Sequence, residues 1–178
     1  MSSKSQKGWQ KQKKQMSQEQ KPVEFESPAS GKIFLDKEGR WFHEGVEITH
    51  PRTIELFSRS VVKDPSGGYR LQIGKEWAKI EVEDTPYMVR SLEIKKDKII
   101  LILNDKSQEE LDPTTLWVGK NNVLYCKVKN AKYPARFLRP AYYQIMQFLE
   151  EDEKGFFLSL NREKFYLQRK IICNKRRG

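Results

Sequence analysis

The chain has 178 residues, which suits one domain or two small ones. Its net charge of +10 would imply a nucleic-acid or anionic-surface partner if it were evenly spread. Instead residues 1–22 and residues 168–178 each carry a net +5, so the stretch between them is neutral and has no global basic field. Weak polyanion or RNA binding is therefore expected of the tails alone, with a steep salt dependence.

Cys126 and Cys173 are too few for a disulfide framework and are expected to be reduced thiols. The N-terminus is charged and lacks the apolar core of a secretory signal. The longest aliphatic run, Ile99 to Leu103, is too short to span a bilayer. These features give the expectation of a cytoplasmic protein without membrane segments.

Residues 1–28 are rich in Lys, Gln and Ser and poor in apolar groups, which predicts a disordered basic tail. Order is expected from Ile33. Ile33–Leu35, Trp41–His43 and Val46–Ile48 read as strands, the last two joined by a tight turn at Glu44-Gly45. Pro51 opens a helix whose Ile54, Phe57 and Val61 recur at helical spacing to about Lys63, before Asp64-Pro65-Ser66-Gly67-Gly68. Tyr69–Ile73 and Ala78–Val82 alternate as a hairpin turning near Gly74-Lys75.

In the second half, strands are predicted at Tyr87–Ile94, Ile99–Leu103 and Val123–Val128. Pro140 opens a helix with Ala141, Ile145, Phe148 and Leu149 on one face, ended by the acidic residues 150–153 and Gly155. A hairpin follows at Phe156–Leu160 and Phe165–Leu167. Shifted by 87 positions, Gly68-Tyr-Arg-Leu-Gln-Ile falls on Gly155-Phe-Phe-Leu-Ser-Leu and Arg52 on Arg139, which hints at duplication. The fold class is thus α+β, with two related halves, each a small, mostly antiparallel sheet with one main helix. The expected boundaries are a tail at 1–28, units at 29–86 and 87–168, and a basic tail at 169–178.

Trp41-Phe-His-Glu-Gly45, Ile48, Leu56-Phe-Ser58, Tyr69-x-Leu71 and Ile80-Glu-Val-Glu-Asp-Thr-Pro-Tyr87 resemble, in order and spacing, the bacterial domain-of-unknown-function family numbered 1285. Tyr125, Pro134-Ala-Arg-Phe137 and Arg139-Pro-Ala-Tyr-Tyr143 are similar more loosely. The resemblance covers residues 30–168. Trp77 stands where a charged residue is expected, and Tyr87 where Phe is usual. The resemblance implies an α+β fold of two related halves and a role in signal transduction or ligand sensing, and it implies no reaction.

Catalytic signatures are absent: there is no GxSxG, GxGxxG or Walker-type loop. His43 and His50 are the only histidines, which excludes a three-histidine zinc site, and His43-Glu44 lacks the HExxH spacing. No cofactor or metal is expected.

Two polar clusters remain. Trp41–Gly45 offers an imidazole and a carboxylate around a turn, although strand alternation and turn chemistry account for it more readily. Glu81, Glu83 and Asp84 could bind a cation or a ligand, or form a solvated strand face. The expected ligand-binding set is His43, Glu44, Arg59, Glu83 and Asp84 around one concavity in the first half, with Arg59 bridging the clusters. The leading reading is a non-enzymatic module for an unidentified small ligand or protein partner. The alternatives are a basic-tailed RNA- or ribosome-associated protein and a small carboxylate-based hydrolase.

Overall fold

The computed structural model describes residues 32–170. The expected tail at 1–28 and residues 171–178, Cys173 among them, lie outside the described residues.

The first half begins with the meander β1 (Ile33–Leu35), β2 (Trp41–His43) and β3 (Val46–Glu47). Asp36 shapes the β1–β2 turn by accepting the Glu38 and Arg40 amides at 3.0 and 2.7 Å. Glu44 and Gly45 both take positive φ, the conformation a two-residue hairpin turn requires.

Helix α1 (Pro51–Arg59) follows, then β4 (Val61–Lys63), β5 (Tyr69–Ile73) and β6 (Glu76–Val82). The helix is shorter than its apolar spacing predicts. The Ser60 amide bonds the Phe57 carbonyl and its hydroxyl bonds the Leu56 carbonyl, which closes the last turn. The β-branched Val61-Val62 then pairs with Leu71 and Arg70 as a strand. The sheet runs β3-β2-β1-β6-β5-β4, and its central pair β1–β6 is parallel.

The second half opens with a further meander, β7 (Tyr87–Lys95), β8 (Lys98–Leu103) and β9 (Gln108–Glu110). Then come β10 (Trp117–Val118), β11 (Leu124–Val128), β12 (Tyr133–Phe137) and helix α2 (Arg139–Met146). The chain continues through β13 (Leu149–Asp152), β14 (Gly155–Leu160), β15 (Glu163–Tyr166) and β16 (Gln168–Arg169).

The helix expected to reach residue 150 stops at Met146. Leu149–Asp152, read from sequence as an acidic helix end, instead pairs residue for residue with β14. Arg169, assigned to the tail, is a strand residue paired with Val118. Two sheets result: β16-β10-β11-β12-β7-β8-β9 and β13-β14-β15.

The element order of the first half recurs. There, a three-strand meander, a helix and a second meander bring the last strand back parallel beside the first. In the second half β10–β12, α2 and β13–β16 follow the same order, and β16 returns parallel beside β10. Leu167 separates β15 from β16, so the position of the long β6 is divided between two strands. The meander β7–β9 is additional, and β7 lies parallel to β12.

Each half has its own apolar core. Leu35, Trp41, Phe57, Leu71 and Met88 form one cluster. Val89, Leu101, Leu103, Leu124, Ile145 and Leu158 belong to the other. Tyr87 and Met88 are consecutive on β7 and enter opposite cores, because strand side chains alternate. In the first core, Trp41 and Phe57 meet edge to face at 5.3 Å, and the Trp41 indole donates to the buried Ser58 hydroxyl at 3.2 Å. Trp41 thus ties β2 to α1, while His43, on the same strand, is exposed.

Candidate functional site

The structure separates the five residues that the sequence groups together. Glu44 accepts the Lys32 amide at 3.1 Å, just before β1, and His43 lies beside it at the end of β2. Glu83 accepts the Lys37 amide at 3.0 Å, just after β1. His43 and Glu44 therefore sit at the opposite end of that strand from Glu83, roughly 10 Å apart along its axis, whereas Glu81 lies 3.9 Å from the Lys32 ammonium. Arg59 bridges neither: its Nε donates to the Asp105 carbonyl at 3.1 Å, and its Nη2 lies 3.0 Å from Glu55. It ties α1 to the β8–β9 turn of the other half.

Asp84 faces the second half. Its Oδ2 accepts the Tyr125 hydroxyl at 2.9 Å and Arg136 Nη1 at 2.7 Å, both from strands of the larger sheet. Tyr125 and Arg136 are register partners on β11 and β12, which sets both donors toward one carboxylate. Burial and the neighbouring Asp84 charge push the Tyr125 hydroxyl up to about 12, so it stays a protonated donor. Burial opposes the Arg136 charge, but the bond to Asp84 outweighs it and the guanidinium is held charged.

Arg136 opens onto a cleft of about 650 Å³. Glu38 from the first half forms one wall, Asn121 and Asn122 another, and Arg139, Tyr142 and Tyr143 of α2 the third. The cleft is lined by two arginines and a single carboxylate, and Asp84, bonded to Arg136, adds a second negative charge beside it. Asn121 and Asn122 both take φ of 57°, a left-handed stretch that asparagine tolerates better than most residues. No side chain caps the start of α2 and no acid occupies its first turn, so the positive end of the helix adds to the field there. The bond Arg136 makes within the described residues uses Nη1 and leaves further guanidinium donors for a bound anion. Arg139 is exposed and available. The chemistry on offer is recognition of an anionic group by two guanidinium forks and side-chain amides.

A second polar cluster is closed. Lys129 Nζ meets Asp105 at 2.8 Å, Glu109 at 3.0 Å and the Ser107 hydroxyl, which occupies all three ammonium donors. Burial works against the Asp105 charge, yet the bonds from Lys129 and Ser107 hold its carboxyl below the ordinary value of 3.8. The Lys129 amide also bonds Glu109, which anchors a hairpin loop where Lys129, Asn130 and Ala131 all have positive φ. This cluster holds a strained loop and has no donor to spare for a ligand.

Cys126 is fully buried, and burial pushes its thiol well up, so it is no ready nucleophile. Among the described residues, no group of three His, Cys, Asp or Glu side chains gathers to hold a metal ion, and no helix is long and apolar enough to cross a membrane.

Arg136, Arg139, Tyr142 and Tyr143 were visible in the sequence only as parts of similar motifs. Nothing in their spacing couples them to Asp84, because Arg136 and Asp84 are 52 positions apart.

Residues 22–85 match the model of the N-terminal domain of a domain of unknown function, DUF1285. Two solved structures share the fold. A DUF1285 family protein from Silicibacter pomeroyi DSS-3 has a TM-score of 0.64 at 20% identity, over 77% of this chain and 79% of that one. A DUF1285 family protein from Shewanella baltica OS155 has a TM-score of 0.54 at 15% identity, over 66% and 91%. No curated protein matches. The chain is DUF1285-like.

Proposed function

We propose that this chain is a non-enzymatic binding module that senses a small anionic molecule in the cleft lined by Arg136 and Arg139. The observation that carries this reading is the convergence of two guanidiniums and two asparagine amides on one cleft of ligand size. Sensing, as distinct from storage, is favoured by Asp84. It lies in the link between β6 and β7, so an anion drawing on Arg136 acts on the residue that joins the two sheets. The matching element order of the halves, with Arg52 and Arg139 at equivalent helix starts, supports an internal duplication in which the second copy carries the site.

The test is a thermal-shift series on the full chain in phosphate-free buffer, with phosphate, sulfate and small mono- and dicarboxylates. Wild type is expected to gain stability with at least one anion, by about 2.7 kcal/mol at a hundredfold excess over Kd. Arg139→Gln, a change at an exposed position, is expected to match the unliganded wild type and lose most of that gain. Equal shifts in the two proteins, or none in either, would remove this reading.

A further inference from the structure

Beside this cleft lies a second cavity, of about 410 Å³, with more apolar side chains in its lining. Val118, Leu124, Met146, Leu149, Phe156 and Leu167 make up half of its lining residues, with Glu151, Lys154 and Arg169 among the others. The two cavities share Asn122 and Tyr142, so the apolar chamber opens beside the guanidinium-lined cleft. Two apolar lining residues of the second cavity are partly exposed, Phe156 by 41% and Met146 by 37%, and Tyr143 of the adjoining cleft is 63% exposed. Elsewhere Val46, Trp77, Ile94, Phe148 and Tyr166 are exposed without lining either cavity, which is ordinary for a protein surface and implies no ligand. Exposure within the linings of two adjoining cavities is a different pattern. It exposes apolar area where an apolar ligand would cover it.

We propose that the ligand is amphipathic: a carboxylate or phosphate monoester whose anionic head binds Arg136 and Arg139 and whose alkyl or aryl body fills the chamber between α2 and β10, β11 and β14. This rests on the anion-binding reading and specifies it. The aromatic face of Tyr142, shared by both cavities, lies where head and body join. Inorganic anions engage half of the site, and simple alcohols the other half. Both cavities lie in the size range of small-molecule sites, and apolar walls with a few convergent polar groups are the usual make-up of such sites.

The experiment compares four soluble probes on the full chain by calorimetry, all below their micelle concentrations: decyl phosphate, decanoate, inorganic phosphate and decanol. At least one of the two amphiphiles is expected to bind about tenfold or more tighter than inorganic phosphate, a gain that burying two or three methylenes already supplies. Decanol is expected to bind at least about tenfold more weakly than that amphiphile. Phe156→Ser and Met146→Gln, at partly exposed positions, should bring the amphiphile to the phosphate level while leaving phosphate itself unchanged. Arg139→Gln should weaken the amphiphile and phosphate together.

If phosphate binds with Arg139 dependence and the alkyl body adds nothing, the amphipathic proposal falls and the anion-binding reading stands. If decanol binds as well as the amphiphiles, or if no probe binds, both fall. Co-sedimentation with phosphatidylglycerol vesicles separates two sources of this chemistry. Monomer binding without sedimentation is expected, and sedimentation without monomer binding would replace a soluble ligand by a membrane headgroup and overturn the proposal.

Discussion

Lys129 shows how far one side chain can determine a local structure. Its ammonium neutralises two carboxylates, and its amide pins a loop with three consecutive left-handed residues, Ala131 among them. Replacing it with Met would leave the nearly buried Asp105 and the half-buried Glu109 facing each other without a cation. The expected cost is about 3 kcal/mol at neutral pH, measured by urea unfolding. The pH dependence should change sign. In wild type the Asp105 carboxyl is held below its ordinary 3.8, so its stabilising contribution is present above that value and lost as pH falls through the depressed one. In Lys129→Met the Asp105 carboxyl would keep its burial but lose that bond, and would sit above its unfolded value. Protonation then favours the folded state, and stability should rise as pH is lowered from 7 toward 5. A variant whose stability is flat over that range would contradict this account. None of this was readable beforehand. Asp105, Glu109 and Lys129 each look like ordinary solvated charges in sequence, and only the approach of the β8–β9 turn to the β11–β12 loop makes them a cluster.

At the scale of elements, the sequence was most legible where local chemistry decides the conformation. The Glu44-Gly45 turn, the proline-led helices and the alternating strands β5 to β8 follow from side-chain preferences a few residues apart. It was least legible where pairing partners decide. Val61–Lys63 continues the apolar spacing of α1 and Leu149–Asp152 that of α2, yet both become strands because β5 and β14 offer complete ladders. β12 was not among the expected strands; its Pro134 pairs with Lys127 of β11 and is accommodated because β7 pairs only from Ala135 onward.

The end of β10 carries a sharper constraint. A Cβ on Gly119 would lie 2.6 Å from the Tyr125 ring, closer than any real contact, and that ring stacks on Trp117 at 5.3 Å. Gly119→Ala is therefore expected to displace Tyr125, break its bond to Asp84 and destabilise the fold by about 1–3 kcal/mol. Thermal unfolding reads the stability. The displacement should also lower the Tyr125 hydroxyl from about 12 toward the ordinary 10, visible in an ultraviolet pH titration against wild type. An alanine variant with unchanged unfolding and titration would show that the strand has room the structure denies.

At the scale of the molecule, charge and site are arranged separately. The stretch between the tails is neutral, so under the proposed reading the cleft at Arg136 and Arg139 would select a ligand by geometry, whereas the tails would act by charge number. The sequence separates the charge of the tails from the polar groups between them, but it groups Asp84 with near residues of the first half, while β11 and β12 bring its bonded partners Tyr125 and Arg136 from the second.

Removing residues 1–22 and 171–178 takes away net charges of +5 and +3 and leaves a chain of +2. Binding to a single-stranded polynucleotide at low salt should then fall to the detection limit, since each lost phosphate contact flattens the salt slope by roughly 0.7 for single strands. The thermal shift given by the cleft's anion should be unchanged in the same truncated chain, because every residue lining the cleft lies within 38–143. Polynucleotide binding that survives truncation would place a basic surface on the folded part, and the neutral balance of residues 23–167 would then conceal a patch large enough to matter. Loss of the anion shift on truncation would instead make the tails part of the ligand site.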